Sequence, residues 1–466
     1  MDKALHVFNK YAADQPHQAR VLKKLEKTDQ MLLYHGLGSG KTYTALRAGE
    51  KFKKPVTVIG PAALKHNFPK ERLKHKIKGE GSYYSYNKPP TKNVSKDVVV
   101  FDEAHRMGRT ESQRSHYPDK IKGKKTLLLS GTPIRNEPAE LIPLLRGLNI
   151  NIGRDKKRFN QAFIQETKQK PGFFARVFKG IKPGTVKRGK NLGVLRKALR
   201  GKVDYHAPTK DKNYPSVINE RIETTMSKKQ QAAYKMVMKE DPDLKYKIRH
   251  GIAPSKTESS RMNAFLGAAR QVSNRPGKYN LSATEADAPK LNRAMSEISK
   301  RHKANKKYRG VTYSTYLGHG VDPMAKRLKR TKIPFGTFTG RQTDLEKADV
   351  VKKYNSGKIK HLLISGAGAE GLDLKGTRLL QILEPHWNEP TLKQVKGRVN
   401  RFKSHEHLKK QNRNITIQTY INKPRKTRFL RRQHAGTDEY LELLSKNKQN
   451  LVNDFTKVLK EVGSDG

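Results

Sequence analysis

The chain has 466 residues, 34% apolar and 30% charged, enough to bury the cores of two or three ordinary domains and too apolar for a disordered chain. Its 99 Lys and Arg against 42 Asp and Glu leave a formal charge of +57, which suits a polyanionic partner, nucleic acid foremost. There is no cysteine, which excludes disulfides and Cys-type zinc sites. The first 30 residues hold no apolar core of signal-peptide length, and no apolar run reaches the roughly 18 residues of a membrane helix, so the expectation is a soluble intracellular protein that is not secreted.

From the N-terminus, short apolar runs alternate with helical stretches: "MLLYHG" (31–36), "VTVIGP" (56–61), "DVVVFDEAH" (97–105) and "TLLLSGTP" (126–133). Apolar strands separated by helices predict a parallel sheet covered on both faces. The first strand runs into "HGLGSGKT" (35–42), and a helix follows, the context a phosphate-binding loop needs. Gly36, Leu37, Gly38, Ser39, Gly40, Lys41 and Thr42 are therefore the ATP-binding candidates. Gly38 and Gly40 let backbone N–H groups face the phosphates, Lys41 neutralises the β- and γ-phosphates, and Thr42 ligates Mg2+. His35 stands where the strict pattern has glycine.

The third run ends in tandem carboxylates. Asp102 is placed to hold Mg2+ and Glu103 to polarise the attacking water, with His105 two residues on. The segment that follows the fourth run reads as mostly helical or irregular. Its stretch 170–202 has eleven basic residues and no acidic one, interleaved with Phe173, Phe174 and Phe178, a pattern expected to contact nucleic acid. Apolar runs then resume at 310–316, 335–340, 361–374, 378–385 and 415–421, predicting a second α/β unit. Residues 436–462 carry apolar side chains at helical spacing and are expected to pack on that unit as one or two helices.

With the phosphate loop and "VVVFDEAH" in place, the chain resembles superfamily 2 helicases and translocases, and Swi/Snf-type ATPases in particular. "LLLSGTP" is similar to the family's third motif, which implies that Ser130, Gly131 and Thr132, together with His105, couple hydrolysis to movement. "GPAALKHNFPKE" is similar to its motif Ia, implying nucleic-acid contacts at Pro61 and Lys65. The resemblance assigns adenine reading to Gln18. "YSTYLGHGVDPMAKRL", "ISGAGAEGLDL" and "EPHWNEPTLKQVKGRVNRF" resemble motifs IV, V and VI. They imply ATP contacts at Gly371 and Asp373, nucleic-acid contacts at Ser314, Gly340, Ser365 and Trp387, coupling at Gln394, and catalytic arginines at Arg398 and Arg401. Residues three apart on a helix share a face, so both arginines are expected to point one way, and a planar guanidinium grips phosphate oxygens as lysine does not.

The resemblance thus implies two RecA-like parallel-sheet lobes with a mostly helical basic insertion between them and a C-terminal helical extension. The expected segments are 1–148, 149–285, 286–430 and 431–466. The "FKSHEHL" ending after motif VI looks like compact ATPases of large DNA viruses and phages, which adds a viral particle to the cytoplasm and nucleus as locations. The expected partner is double-stranded DNA gripped through its phosphates, with ATP and Mg2+. A strand-separating DNA or RNA helicase, a transcription-associated ATPase and an ATP-switched nucleic-acid-binding scaffold use the same motifs.

Overall fold

The computed structural model describes residues 14–36, 39–65, 67–108, 112–207, 214–366, 374–385, 389–401, 403–425 and 435–464. Fourteen strands are described: β1 (Gln30–His35), β2 (Val56–Gly60), β3 (Gly81–Ser85), β4 (Val98–Phe101), β5 (Lys125–Ser130), β6 (Ile164–Gln169), β7 (Gly184–Gly189), β8 (Val203–His206), β9 (Ser216–Thr225), β10 (Gly310–Ser314), β11 (Phe335–Phe338), β12 (His361–Ser365), β13 (Leu379–Ile382) and β14 (Asn414–Lys423). They form a six-stranded sheet ordered β3-β2-β4-β5-β1-β8, a second ordered β11-β12-β10-β13-β14-β9, and a two-stranded ribbon of β6 and β7. Every pairing within the two large sheets is parallel. This is the doubly covered α/β architecture expected from the apolar runs.

The chain divides into two compact units. Residues 1–166, 187–209 and 448–466 make the first, which holds the first sheet. Its strands show why alternation is invisible in an all-apolar run. Leu32, Val99, Phe101 and Leu128 enter one core while Met31, Leu33, Val98, Val100, Leu127 and Leu129 enter the other, because successive strand side chains point to opposite faces and both faces are covered here.

Residues 167–186 and 210–447 make the second unit. One face of its sheet is apolar, through Val311, Tyr313, Leu362, Ile364, Leu380 and Ile382. The other face is partly a buried polar network. Thr312 donates to Gln381 Oε1 at 2.8 Å, and Gln381 Nε2 donates to Tyr420 Oη at 2.8 Å and to the Ala294 carbonyl at 3.0 Å. Thr312, Gln381 and Tyr420 all have partners, which is what makes such a network tolerable in a core.

The segment 149–285 is mostly helical or irregular, as expected, and also carries strands: its β8 completes the first sheet and its β9 pairs with β14 over ten residues in the second. One expectation needs correcting. Residues 436–462 were expected to pack on the second unit. They form one helix, Thr437–Ser464, whose Tyr440 and Leu441 do join that unit's helical core. Its Leu451, Phe455, Val458 and Leu459, however, lie in the core of the first unit.

Candidate ATP site

Helix Lys41–Lys51 starts directly after the phosphate-loop candidates, with Gly40 as its N-cap at φ +73°. That left-handed conformation suits glycine, and a Cβ there would also meet Gln18 Nε2 at 2.6 Å. The loop is tied down from behind by helix Pro16–Lys24: His17 Nε2 lies 2.8 Å from the Ser39 carbonyl oxygen, and Gln18 Nε2 donates to the same oxygen at 3.3 Å. Lys41 Nζ donates to the carbonyls of Gly36 (2.9 Å) and His35 (3.1 Å). The lysine is thus folded back onto the end of its own loop. Burial lowers the Lys41 pKa, while Glu103 and Asp102 oppose the shift, so the carboxylates help keep this ammonium charged.

The acidic pair stands at the end of β4. Asp102 is buried, and burial together with the neighbouring Glu103 pushes its carboxyl up to about 6, against the opposing pull of the Glu103 N–H and Lys41. The Glu103 backbone N–H donates to Asp102 Oδ1 at 2.9 Å. Glu103 itself sits at φ +50°, a left-handed conformation that a side chain with a Cβ adopts only at a cost of order 1 kcal/mol. His105 Nδ1 lies 2.9 Å from Ser130 Oγ and 3.3 Å from Glu103 Oε2. Burial, then Arg135, Arg106 and Lys41, lowers its pKa to about 3, so the imidazole is neutral. Ser130 Oγ in turn accepts from the Thr132 N–H at 3.1 Å. His105 therefore stands between the water-positioning candidate Glu103 and Ser130, whose hydroxyl meets the turn that carries Gly131 and Thr132. Gly131 also comes close to the loop lysine, since a Cβ on it would lie 4.0 Å from Lys41 Nζ.

A cleft of about 710 Å³ in the first unit has Gln18, Ser39, Gly40, Lys41, Thr42, Asp102 and Glu103 on its wall. Tyr43 and His75 line it as well, their rings 4.5 Å apart. Sequence reasoning passed over both, and over the support beneath the loop. There Asp204 of β8, fully buried, accepts from Arg20 Nε (2.8 Å), Arg20 Nη2 (2.9 Å) and Lys24 (3.0 Å), and its Oδ1 lies 2.8 Å from His35 Nε2. His206 stacks on His17 at 3.8 Å. The buried His35, at the position where a strict phosphate loop has glycine, thus anchors the end of β1 to β8.

Other candidates are less well served. Pro61 is buried and Lys65 exposed. Ser314 and Ser365 are buried at the ends of central strands, and the Ser314 hydroxyl donates to Glu384 Oε1 at 2.6 Å. Gly340 is exposed. Arg398 lies in helix Glu389–Val399, but Arg401 lies beyond its end, so the expected shared helical face is not formed. The helix stops where Ser404 Oγ bonds the Arg401 carbonyl at 2.8 Å and the Ser404 N–H donates to that same carbonyl at 3.1 Å. Gln394 is in the same helix. Leu37, Gly38, Gly371, Asp373 and Trp387 lie outside the described residues.

Residues 82–278 match the SNF2-related domain and residues 290–403 the helicase conserved C-terminal domain. A protein of Acanthamoeba polyphaga mimivirus named as an ATP-dependent RNA helicase is 29% identical over 95% of this chain and 96% of its own length. The termination factor NPH-I homolog of African swine fever virus (isolate Pig/Kenya/KEN-50/1950) is 22% identical over 85% of this chain and 70% of its own. Among solved structures, the Pyrococcus furiosus Hef helicase domain aligns at 14% identity and a TM-score of 0.49, covering 89% of this chain and 96% of that one.

Proposed function

The chain belongs to the Swi/Snf-type ATPases of helicase superfamily 2, ATP-hydrolysing nucleic-acid motors, and on that premise we propose that it translocates along double-stranded DNA and remodels DNA or protein–DNA complexes. The observation that carries this reading is the match of residues 82–278 to the SNF2-related domain, a stretch that includes the Asp102–Glu103 pair and the Ser130–Thr132 turn. The formal charge of +57 supports binding through phosphates, independent of sequence and steeply weakened by salt.

In this reading the cleft takes the triphosphate of ATP, with Lys41 leaving its backbone carbonyls for the β- and γ-phosphates. The donor set fits Mg2+: a buried carboxylate whose charge is disfavoured by burial and by Glu103, and Thr42, which lines the same cleft. Thr42 and Asp102 would hold the ion, which when bound neutralises phosphate charge. Glu103 orients the attacking water and accepts its proton. Its contact with His105, and through Ser130 with the Thr132 N–H, supports a route by which loss of the γ-phosphate is felt in the adjoining turn. Arg398 and Arg401 are proposed to stabilise transition-state charge.

Lys41→Ala and Glu103→Gln are expected to abolish DNA-stimulated ATP hydrolysis while leaving DNA affinity in a filter-binding assay close to wild type. Stimulated hydrolysis retained in either variant would remove this cleft from the mechanism. Duplex DNA is expected to stimulate hydrolysis more than single-stranded DNA or RNA of equal length. A stronger response to RNA would replace the proposed substrate.

A further inference from the structure

Away from the ATP site, the short helix Phe173–Lys179 lies between β6 and β7 in the second unit. Four of its seven residues are large apolar side chains turned outward: Phe173 is 63% exposed, Phe174 74%, Val177 54% and Phe178 73%. The helix is nonetheless anchored. Ala175 and Ile181 are buried, the Ile181 N–H donates to the Ala175 carbonyl at 3.2 Å, and the Gly172 N–H donates to Tyr246 Oη at 3.4 Å. The exposed rings are also ordered against one another. Phe174 and Phe178 stack with centroids 5.7 Å apart at 18°, and Phe173 meets Phe174 edge-on at 5.9 Å. Such a contiguous aromatic face on an anchored element marks an interaction site.

Its surroundings select the partner. Arg176 and Lys179 lie on the helix itself, and Lys179 joins Lys235, Lys239 and Arg249 in disfavouring the charge on Lys245, after burial. Cations gathered beside apolar rings suit a ligand that is polyanionic along one edge and flat and aromatic along the other. Unpaired nucleotides have that chemistry, whereas in a duplex the base faces are already stacked.

We propose that the Phe173, Phe174 and Phe178 face is a stacking platform for unpaired bases, with Lys179, Lys245 and Arg249 taking the backbone, so that the motor engages duplex DNA carrying an opened stretch. This rests on the reading of the chain as a DNA motor and adds the form of DNA it prefers.

The test compares a blunt duplex with the same duplex carrying a bubble in which 2-aminopurine reports stacking. Wild type is expected to bind the bubble at least about 10-fold more tightly and to quench the probe, in line with the worth of base–aromatic stacking. Phe174→Leu/Phe178→Leu, which keeps apolar area but removes the rings, should lose both effects, with blunt-duplex affinity and duplex-stimulated hydrolysis unchanged. Phe174→Tyr/Phe178→Tyr should keep them. Equal affinity of wild type for the two DNAs, or a Leu variant that keeps the preference, overturns the proposal. A Leu variant that loses both DNAs equally also overturns it. A platform that instead docks a protein would show as unchanged DNA binding in the Leu variant, and counts against it. Failure of the parent reading is distinguishable, because duplex DNA would then not stimulate wild-type hydrolysis at all.

Discussion

Asp102→Asn should make the protein inactive and more stable at the same time. In the folded chain the Asp102 carboxyl is pushed from 3.8 up to about 6 by burial and by Glu103, a difference of about 2 units, and each unit is worth about 1.4 kcal/mol. Because the folded value lies above the unfolded one, the stability linked to this group is fully present below pH 3.8 and is lost as pH rises through about 6. Asparagine has nearly the same shape, keeps an oxygen for the Glu103 N–H and never ionises. Relative to wild type, its advantage therefore grows with pH: about 1.5 kcal/mol at pH 5 and about 3 kcal/mol at pH 8, both upper values. Hydrogen exchange at the amides of β1, β4 and β5, without nucleotide, reads the stability of the first unit directly. Added Mg2+ and ATP should then stabilise wild type and leave the variant unmoved. A variant less stable than wild type at pH 8, or an advantage that does not shrink toward pH 5, would refute the reasoning that a buried, like-charge-opposed carboxylate is kept at the site for function.

Glu103→Gly should relieve the positive φ of +50°, raise the urea midpoint by the equivalent of about 1 kcal/mol and abolish hydrolysis; a destabilised variant would show that Glu103 contacts outweigh the backbone cost. Asp204→Ala strands Arg20, Lys24 and His35, and its expected cost is about 3 kcal/mol in urea unfolding, with a raised KM for ATP because the loop loses its support; a change under about 1 kcal/mol would deny that role. Arg401→Lys should keep DNA affinity and lose hydrolysis, measured as binding and ATPase rate on one preparation; parallel loss of both would place Arg401 in the general basic surface.

Nine strands could be read from apolar runs because parallel strands covered on both faces are written as such runs, "VVVF" and "TLLLS" being the clearest. The strands that escaped are polar or edge elements. β3 is "GSYYS", every residue only partly buried, and β9, "SVINERIETT", is largely exposed and is held by its register with β14 instead of by its own composition. The phosphate loop and acidic pair were legible because their chemistry is confined to a few contiguous residues. Asp204 was not, because it meets Arg20 across 184 positions of sequence and no local pattern marks a carboxylate that will be buried. The shared helical face of Arg398 and Arg401 failed for a local reason, the hydrogen bonds of Ser404 that close the chain into a turn after Val399. The burial of Ser314 was not legible, because a strand-end serine looks alike in sequence whether its hydroxyl faces solvent or Glu384.

Displacement of a third strand from a DNA triplex tests the central claim most directly, since it detects movement along an intact duplex. Wild type with ATP should displace the strand without separating the underlying duplex, and Lys41→Ala should not. Hydrolysis stimulated by duplex DNA with no displacement, or displacement that persists in Lys41→Ala, would contradict an ATP-driven double-stranded DNA translocase.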